Sequence, residues 1–163
     1  MNDEGMSKIV KTVAGVAFPL VIIFGLYVIA HGHLTPGGGF QGGAVVASGL
    51  AMIVIAFGSS WTLKKAKKKN LSSLESLGAV AFIGLALLGI VYGAVFLNNF
   101  LTDTNLLFGE VPEYLSTVAN INTGGVIPWM NFAVGLKVIS GLFAIVLIMA
   151  YATSYKTREA DKE

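Results

Sequence analysis

The sequence predicts an all-α integral membrane protein with four transmembrane helices, both termini cytoplasmic, and a long outer loop. The composition points first to a membrane: 55% of residues are apolar, 12% are charged, and the mean hydropathy is +0.75. Soluble domains carry about 25% charged residues. Secondly, segments at about 10–30, 40–60, 77–97 and 132–151 each reach spanning length, because a hydrocarbon core of about 30 Å takes roughly 20 helical residues. Thirdly, lysine crowds the connection between the second and third spans and both termini carry basic residues, whereas the other two connections contain no lysine or arginine. With 163 residues committed largely to spans, one membrane unit over 1–163 is expected, with no separate catalytic domain. The chain has no cysteine, so disulfides, thiolate-held clusters and cysteine nucleophiles are excluded from it.

The first span follows Lys8 and Lys11 and runs directly into a glycine-rich turn and a second apolar segment. It is expected to be a retained helix rather than a cleaved signal, whose apolar region is shorter and ends at a small-residue site. Pro19 inside it can kink the helix and free a carbonyl. The turn, His31 to Gly43, reads HGHLTPGGGFQGG. Pro36 fixes one dihedral and biases Thr35 away from helix, while the glycines permit backbone paths and approaches closed to other residues. Gly37, Gly39 and Gly42 formally satisfy GxGxxG, but no strand precedes them and no acid follows until Glu75, so nucleotide binding is set aside.

On the second span Gly39, Gly43 and Ala47 form a small-residue stripe, and on the third Gly89 and Gly93 form another. Lipid supplies no hydrophobic drive between helices, so such stripes predict close helix partners, with Phe40 and Gln41 projecting from a smooth helix start. Lys64, Lys65, Lys67, Lys68 and Lys69 crowd the connection between spans two and three, and Lys156, Arg158 and Lys162 follow span four. The positive-inside rule then puts both termini and this connection in the cytoplasm, and the glycine turn and the loop from Asn98 to Asn131 outside. Trp61, Trp129 and Tyr155 fit interfacial belts. The lysine run reads as a topology signal that meets anionic headgroups; no aromatic platform accompanies it to suggest nucleic acid. Asn70-Leu71-Ser72 spells a glycosylation acceptor on the wrong side to be used.

In the outer loop, Glu110-Val111-Pro112-Glu113 reads as the start of a short surface helix continuing to Ile121 and ended by Asn122-Thr123-Gly124-Gly125. Asp103, Glu110 and Glu113 read as solvated surface. In span four, Lys137 stands out, because a charge in lipid costs roughly 2.5–3.5 kcal/mol on insertion scales. It either snorkels to the outer headgroups or faces a polar ion path; no acid falls inside the four apolar windows, so its counter-charge is expected from another subunit, water or lipid. His31 and His33 flank Gly32 as candidate proton acceptors, with hydrogen bonding to the turn as the plainer role. Neither a metal site nor a cofactor site is expected, since further ligands at a usable spacing are lacking.

Gly32-His33-Leu34-Thr35-Pro36-Gly37-Gly38-Gly39-Phe40-Gln41-Gly42-Gly43 resembles the hallmark GH-x-x-PGGGF-x-GG of the MnhB (MrpB) family, a small membrane component of Mrp-type multisubunit Na+/H+ antiporters. Ile127-Pro128 and the segment NFAVGLKVISGL from Asn131 to Leu142 resemble that family's last span. The resemblance implies a multi-pass cell-membrane protein, not itself an enzyme, that works beside large antiporter-like chains in a hetero-oligomeric complex. Related chains occur in archaeal membrane-bound hydrogenase and sulfane sulfur reductase complexes, so a redox arm is an alternative companion. The resemblance also implies that Pro36, Gly37, Gly38, Gly39, Phe40, Gly42 and Gly43 seat the chain against its neighbours, with Lys137 on the ion path. A stand-alone carrier is the weakest alternative, because repeated broken helices and paired midplane acids are missing.

Overall fold

The computed structural model describes residues 5–66, 68–102, 104, 106–110 and 120–160, with side chains described as far as 153. Five helices follow in order: α1 (Lys8–Ala30), α2 (Gly39–Phe57), α3 (Ser59–Lys65), α4 (Lys68–Gly93) and α5 (Ile127–Ala160). Four of them, α1, α2, α4 and α5 as far as Thr153, are long and apolar enough to cross a membrane. No strand is formed among the described residues; an isolated antiparallel bridge joins Gly109 to Thr123.

The helix order across the bundle is α1, α2, α5, α4, and glycines set each contact. Gly25 and Gly42 face one another between α1 and α2, where a Cβ on Gly42 would meet Ile29 at 2.5 Å. Gly49 rests on Val21, so α1 and α2 run antiparallel. Gly39 lies against Val134 and Gly135, and Gly43 against Val138, so α2 and α5 run parallel. Gly78 of α4 lies against Ala133 and Lys137, and Glu75 lies beside Gly141, so α4 and α5 are antiparallel. Close backbone approach of this kind supplies dispersion contact where lipid offers no hydrophobic drive. A small core of Val54, Phe143 and Leu147 closes the end of the bundle that also carries Lys8, Lys64, Lys65 and Lys68. The backbone N–H of Met6 donates to Ala56 there at 2.9 Å, which ties the start of α1 to the end of α2.

Several boundaries differ from the sequence expectation. The second span stops at Phe57, because Gly58 takes φ 89°, and the short α3 follows. The third starts at Lys68 rather than 77: Leu71 packs on the core, so the helix gains a buried apolar contact before its continuous apolar stretch begins. It ends at Gly93 rather than 97, where Ala94 and Leu97 adopt φ 58° and 63°. The chain there folds back along α4, with the Leu97 N–H donating to Ala86 and Asn98 Nδ2 capping the Gly93 carbonyl at 3.1 Å. Gly89 and Gly93 therefore pack on this returning segment and not on another helix, which corrects the expectation of a helix partner for that stripe. The fourth starts at Ile127 with Pro128 in its first turn, where the missing N–H is harmless. The surface helix expected over 110–121 falls mostly outside the described residues, as do Asp103 and Glu113.

Candidate functional site

Two polar features interrupt the apolar bundle. One is the turn between α1 and α2, which wraps around Asn131. A Cβ on Gly38 would meet Asn131 Oδ1 at 3.2 Å and one on Gly32 would meet Asn131 Nδ2 at 2.9 Å. Gly37 has φ 126°, a conformation side chains rarely adopt, which fixes glycine at this point. The Gly38 N–H donates to Gln41 Oε1 at 3.1 Å, so Gln41 caps the start of α2, while Phe40 projects with 60% of its surface exposed. Pro36 is exposed at the outer edge of the turn. Gly39 and Gly43 face α5 and Gly42 faces α1, so this one motif serves both neighbours of α2.

Residues 98–102, 106–110 and 120–126 roof the turn. Asn99 fastens it by donating Nδ2 to the Gly124 carbonyl at 3.1 Å and accepting the Val126 N–H on Oδ1 at 2.7 Å. Phe108 stands edge-on to both His33 and Trp129, and Gly124 lies against the His33 ring. Glu110 accepts from Asn120 Nδ2 at 2.6 Å within this cap. The two histidines occupy different settings. His31 stacks on Tyr27 with centroids 5.1 Å apart and lies 3.4 Å from Thr35 Oγ1 through Nδ1. Both ring nitrogens of His33, and Nδ2 of Asn131, are shielded and make no hydrogen bond of good geometry among the described residues. Burial pushes the His33 imidazole below its ordinary 6.5; the backbone of Ile121 and of Ala30 opposes this, and His31 adds to it.

That direction gives a pH prediction. A folded-state value below the unfolded 6.5 means that the unroofed turn takes a proton which the roofed one resists. Stability of the cap is thus fully present above about pH 6.5, and falls from there down to the depressed value. Once corrected for the intrinsic rate, which slows as pH falls, hydrogen exchange at 120–126 should show an excess of opening at about pH 5.5 over that at about pH 7.5. His33→Gln should remove that excess, and an equal excess in the variant would contradict the assignment.

The second feature is an ion pair between helices. Lys137 Nζ donates to Glu75 Oε1 at 3.3 Å, linking α5 to α4. This corrects the expectation that no acid of this chain could serve Lys137: Glu75 stands two residues before the third apolar window but on the same continuous helix. The pair can form because Gly78 and Gly141 leave room beside the two side chains. Since Glu75 lies against Gly141, one turn beyond Lys137, the ammonium is drawn along α5 away from Ile127. The side chains remain 48% and 43% exposed. Lys137 begins about 15 Å along α5 from Ile127 at the helical rise, well inside the spanning segment. Sequence reasoning overlooked Glu75, Asn99 and Asn131. A carboxylate three residues before a glycine on a membrane-entering helix was the available signal for Glu75; for the asparagines, which act across the fold, there was none.

Comparison with known proteins places these features in a family context. Residues 9–144 match the family described as a domain related to the MnhB subunit of Na+/H+ antiporter. An uncharacterized Methanocaldococcus jannaschii protein, MJ1307, is 36% identical over 150 residues, covering 90% of this chain and 55% of that protein. A Staphylococcus epidermidis protein named as a putative antiporter subunit, mnhB2, is 29% identical over 100 residues, covering 61% of this chain and 69% of its own. Among solved structures, a chain of the membrane-bound sulfane sulfur reductase, an archaeal respiratory membrane complex, superposes with TM-score 0.67 at 30% identity. That match covers 91% of this chain and 62% of the other, so the chain spans little more than half of the Methanocaldococcus relative and under two thirds of the solved one.

Proposed function

The chain belongs to the family of domains related to the MnhB subunit of Na+/H+ antiporters, and from that premise we propose that it is a non-catalytic membrane subunit of an Mrp-type multisubunit sodium/proton antiporter. The lysine-bearing end of the bundle faces the cytoplasm under the positive-inside rule, which places the roofed glycine turn outside. The observation that best supports the reading is the Glu75–Lys137 pair, half exposed within spanning helices. Charges at that depth are costly against lipid and belong against protein or a water-filled path. A neighbouring subunit covers this face, and the pair lies on the route of the ions, with Glu75 released from Lys137 when a proton or a cation passes. His31 and His33 serve the shape of the turn: one is engaged with Tyr27 and Thr35, the other is shielded and held neutral.

A second reading has its own support. Likeness to a chain of a respiratory membrane complex favours the equivalent subunit of a redox-driven ion pump. Purifying the assembly in mild detergent and identifying the companions separates the two: antiporter chains alone support the first reading, added redox chains the second. A chain that purifies without companions contradicts both. The exposed Phe40 supplies a finer test of docking. Phe40→Ala removes a side chain that is 60% exposed, so the variant should insert and melt like the parent, within about 0.5 kcal/mol. It should nonetheless lose most of its companions on purification; full retention would show that the turn does not seat a neighbour.

A further inference from the structure

Independently of the antiporter reading, we propose that the cleft at the lysine-bearing end binds one anionic phospholipid, an acyl chain lying in the cleft and the phosphate on the lysines at its rim. The cleft is about 410 Å³ and opens between α3, the start of α4 and α5. Its walls are Leu63 of α3 with Leu71, Ala144, Leu147 and Ile148, and Tyr151 and Lys68 complete the lining. This composition is apolar along the helices and cationic at one end, which is the polarity of a lipid with a charged head. A free phosphate would leave the apolar walls uncovered.

Location and charge favour the same occupant. Lys68 opens α4, the three residues before the α4 start include no acid, and the first turn of α4 has none. Lys64 and Lys65 in the last turn of α3, and Lys69 beside Lys68, are all exposed. The short α3 carries an interfacial anchor: Trp61 stacks on Phe57 with centroids 4.8 Å apart, and Lys65 Nζ lies 5.4 Å from the Trp61 ring centre. Thr62 is buried, so α3 lies on the bundle through that face while its lysines are exposed, and its hydroxyl is satisfied locally by donating to the Gly58 carbonyl at 2.9 Å. Basic pockets between spanning helices on the cytoplasmic side are the known chemistry for anionic headgroups, each nearby lysine being worth about 1 kcal/mol. The cleft exceeds what the run of lysines supplies alone, because it adds a shaped apolar site for one chain.

The test uses the full chain, delipidated in mild detergent and titrated with phosphatidylglycerol or phosphatidylcholine of identical acyl chains, read by native mass spectrometry. One phosphatidylglycerol should be retained at about tenfold lower concentration than phosphatidylcholine. Lys68→Gln should remove most of that preference, and Ala144→Trp, which narrows the cleft without touching charge, should weaken both lipids. Ala144→Trp is scored only if it melts like the parent; Ile148→Trp, at a 44% exposed position, replaces it otherwise. Equal retention of the two lipids overturns the proposal. So does unchanged binding in the cleft-filling variant, as does full displacement by inorganic phosphate. A photo-crosslinker at Ala144 in the native assembly should label lipid, and labelling of a protein chain instead also overturns it.

Discussion

On the proposed reading, Lys137→Met should lower sodium-driven proton exchange by about tenfold or more while the assembly still forms, and Glu75→Gln should do the same. Each single change leaves one charge without its partner, at roughly 2.5–3.5 kcal/mol against lipid, and breaking a fully buried pair costs about 3–5 kcal/mol. The side chains are 48% and 43% exposed, so the lower end applies to folding of the isolated chain. The double variant Glu75→Gln with Lys137→Met distinguishes the structural role from the transport role. Removing both charges should restore the melting temperature towards the parent because no lone charge remains, but exchange should stay low because the pair is gone from the proposed path. If exchange recovers with stability in the double variant, the pair is structural. If Lys137→Met alone leaves exchange unchanged, Lys137 takes no part in transport.

Gly39→Leu abolishes accumulation of the folded subunit. A Cβ there would meet the Asn131 carbonyl and approach Val134 Cβ at 2.8 Å, so the obstacle is a neighbouring helix backbone and not the tip of a flexible side chain. Overpacking a core costs about 1–3 kcal/mol, and here it separates α2 from α5, the contact that joins the two halves of the bundle. The expected readout is loss of membrane-inserted protein and of a cooperative melt. Gly15→Ala is the control: nothing lies within 4 Å of a Cβ at that site, and alanine favours helix by about 1 kcal/mol. Equal damage from both substitutions would show that contact at the added Cβ does not govern these glycines.

What the sequence reveals and conceals follows from the range of each interaction. The four spans are legible because insertion depends on apolar residues summed over about 20 positions, a quantity that a sequence displays directly. The start of α4 is misjudged because Asn70, Ser72, Ser73 and Glu75 lower the local hydropathy while Leu71 and a helical backbone continue unbroken. For the same reason the partner of Lys137 stays hidden: Glu75 looks like interface when judged by its neighbours in sequence, yet antiparallel packing brings it to Lys137, 62 residues away. The end of α4 is set by left-handed Ala94 and Leu97, residue types that carry no turn signal. The glycine turn announces a special backbone path through Pro36 and Gly37, but the roof over it depends on Asn99 reaching Gly124 and Val126, contacts that no local pattern encodes.

On the proposed reading, ion exchange by a larger membrane assembly requires this chain. Sodium-dependent collapse of a proton gradient in everted vesicles, from cells lacking the chain and from the same cells supplied with it, measures that requirement most directly. Exchange should be absent without the chain and return with the parent sequence, but not with Phe40→Ala. Full exchange in vesicles that lack the chain would contradict the requirement.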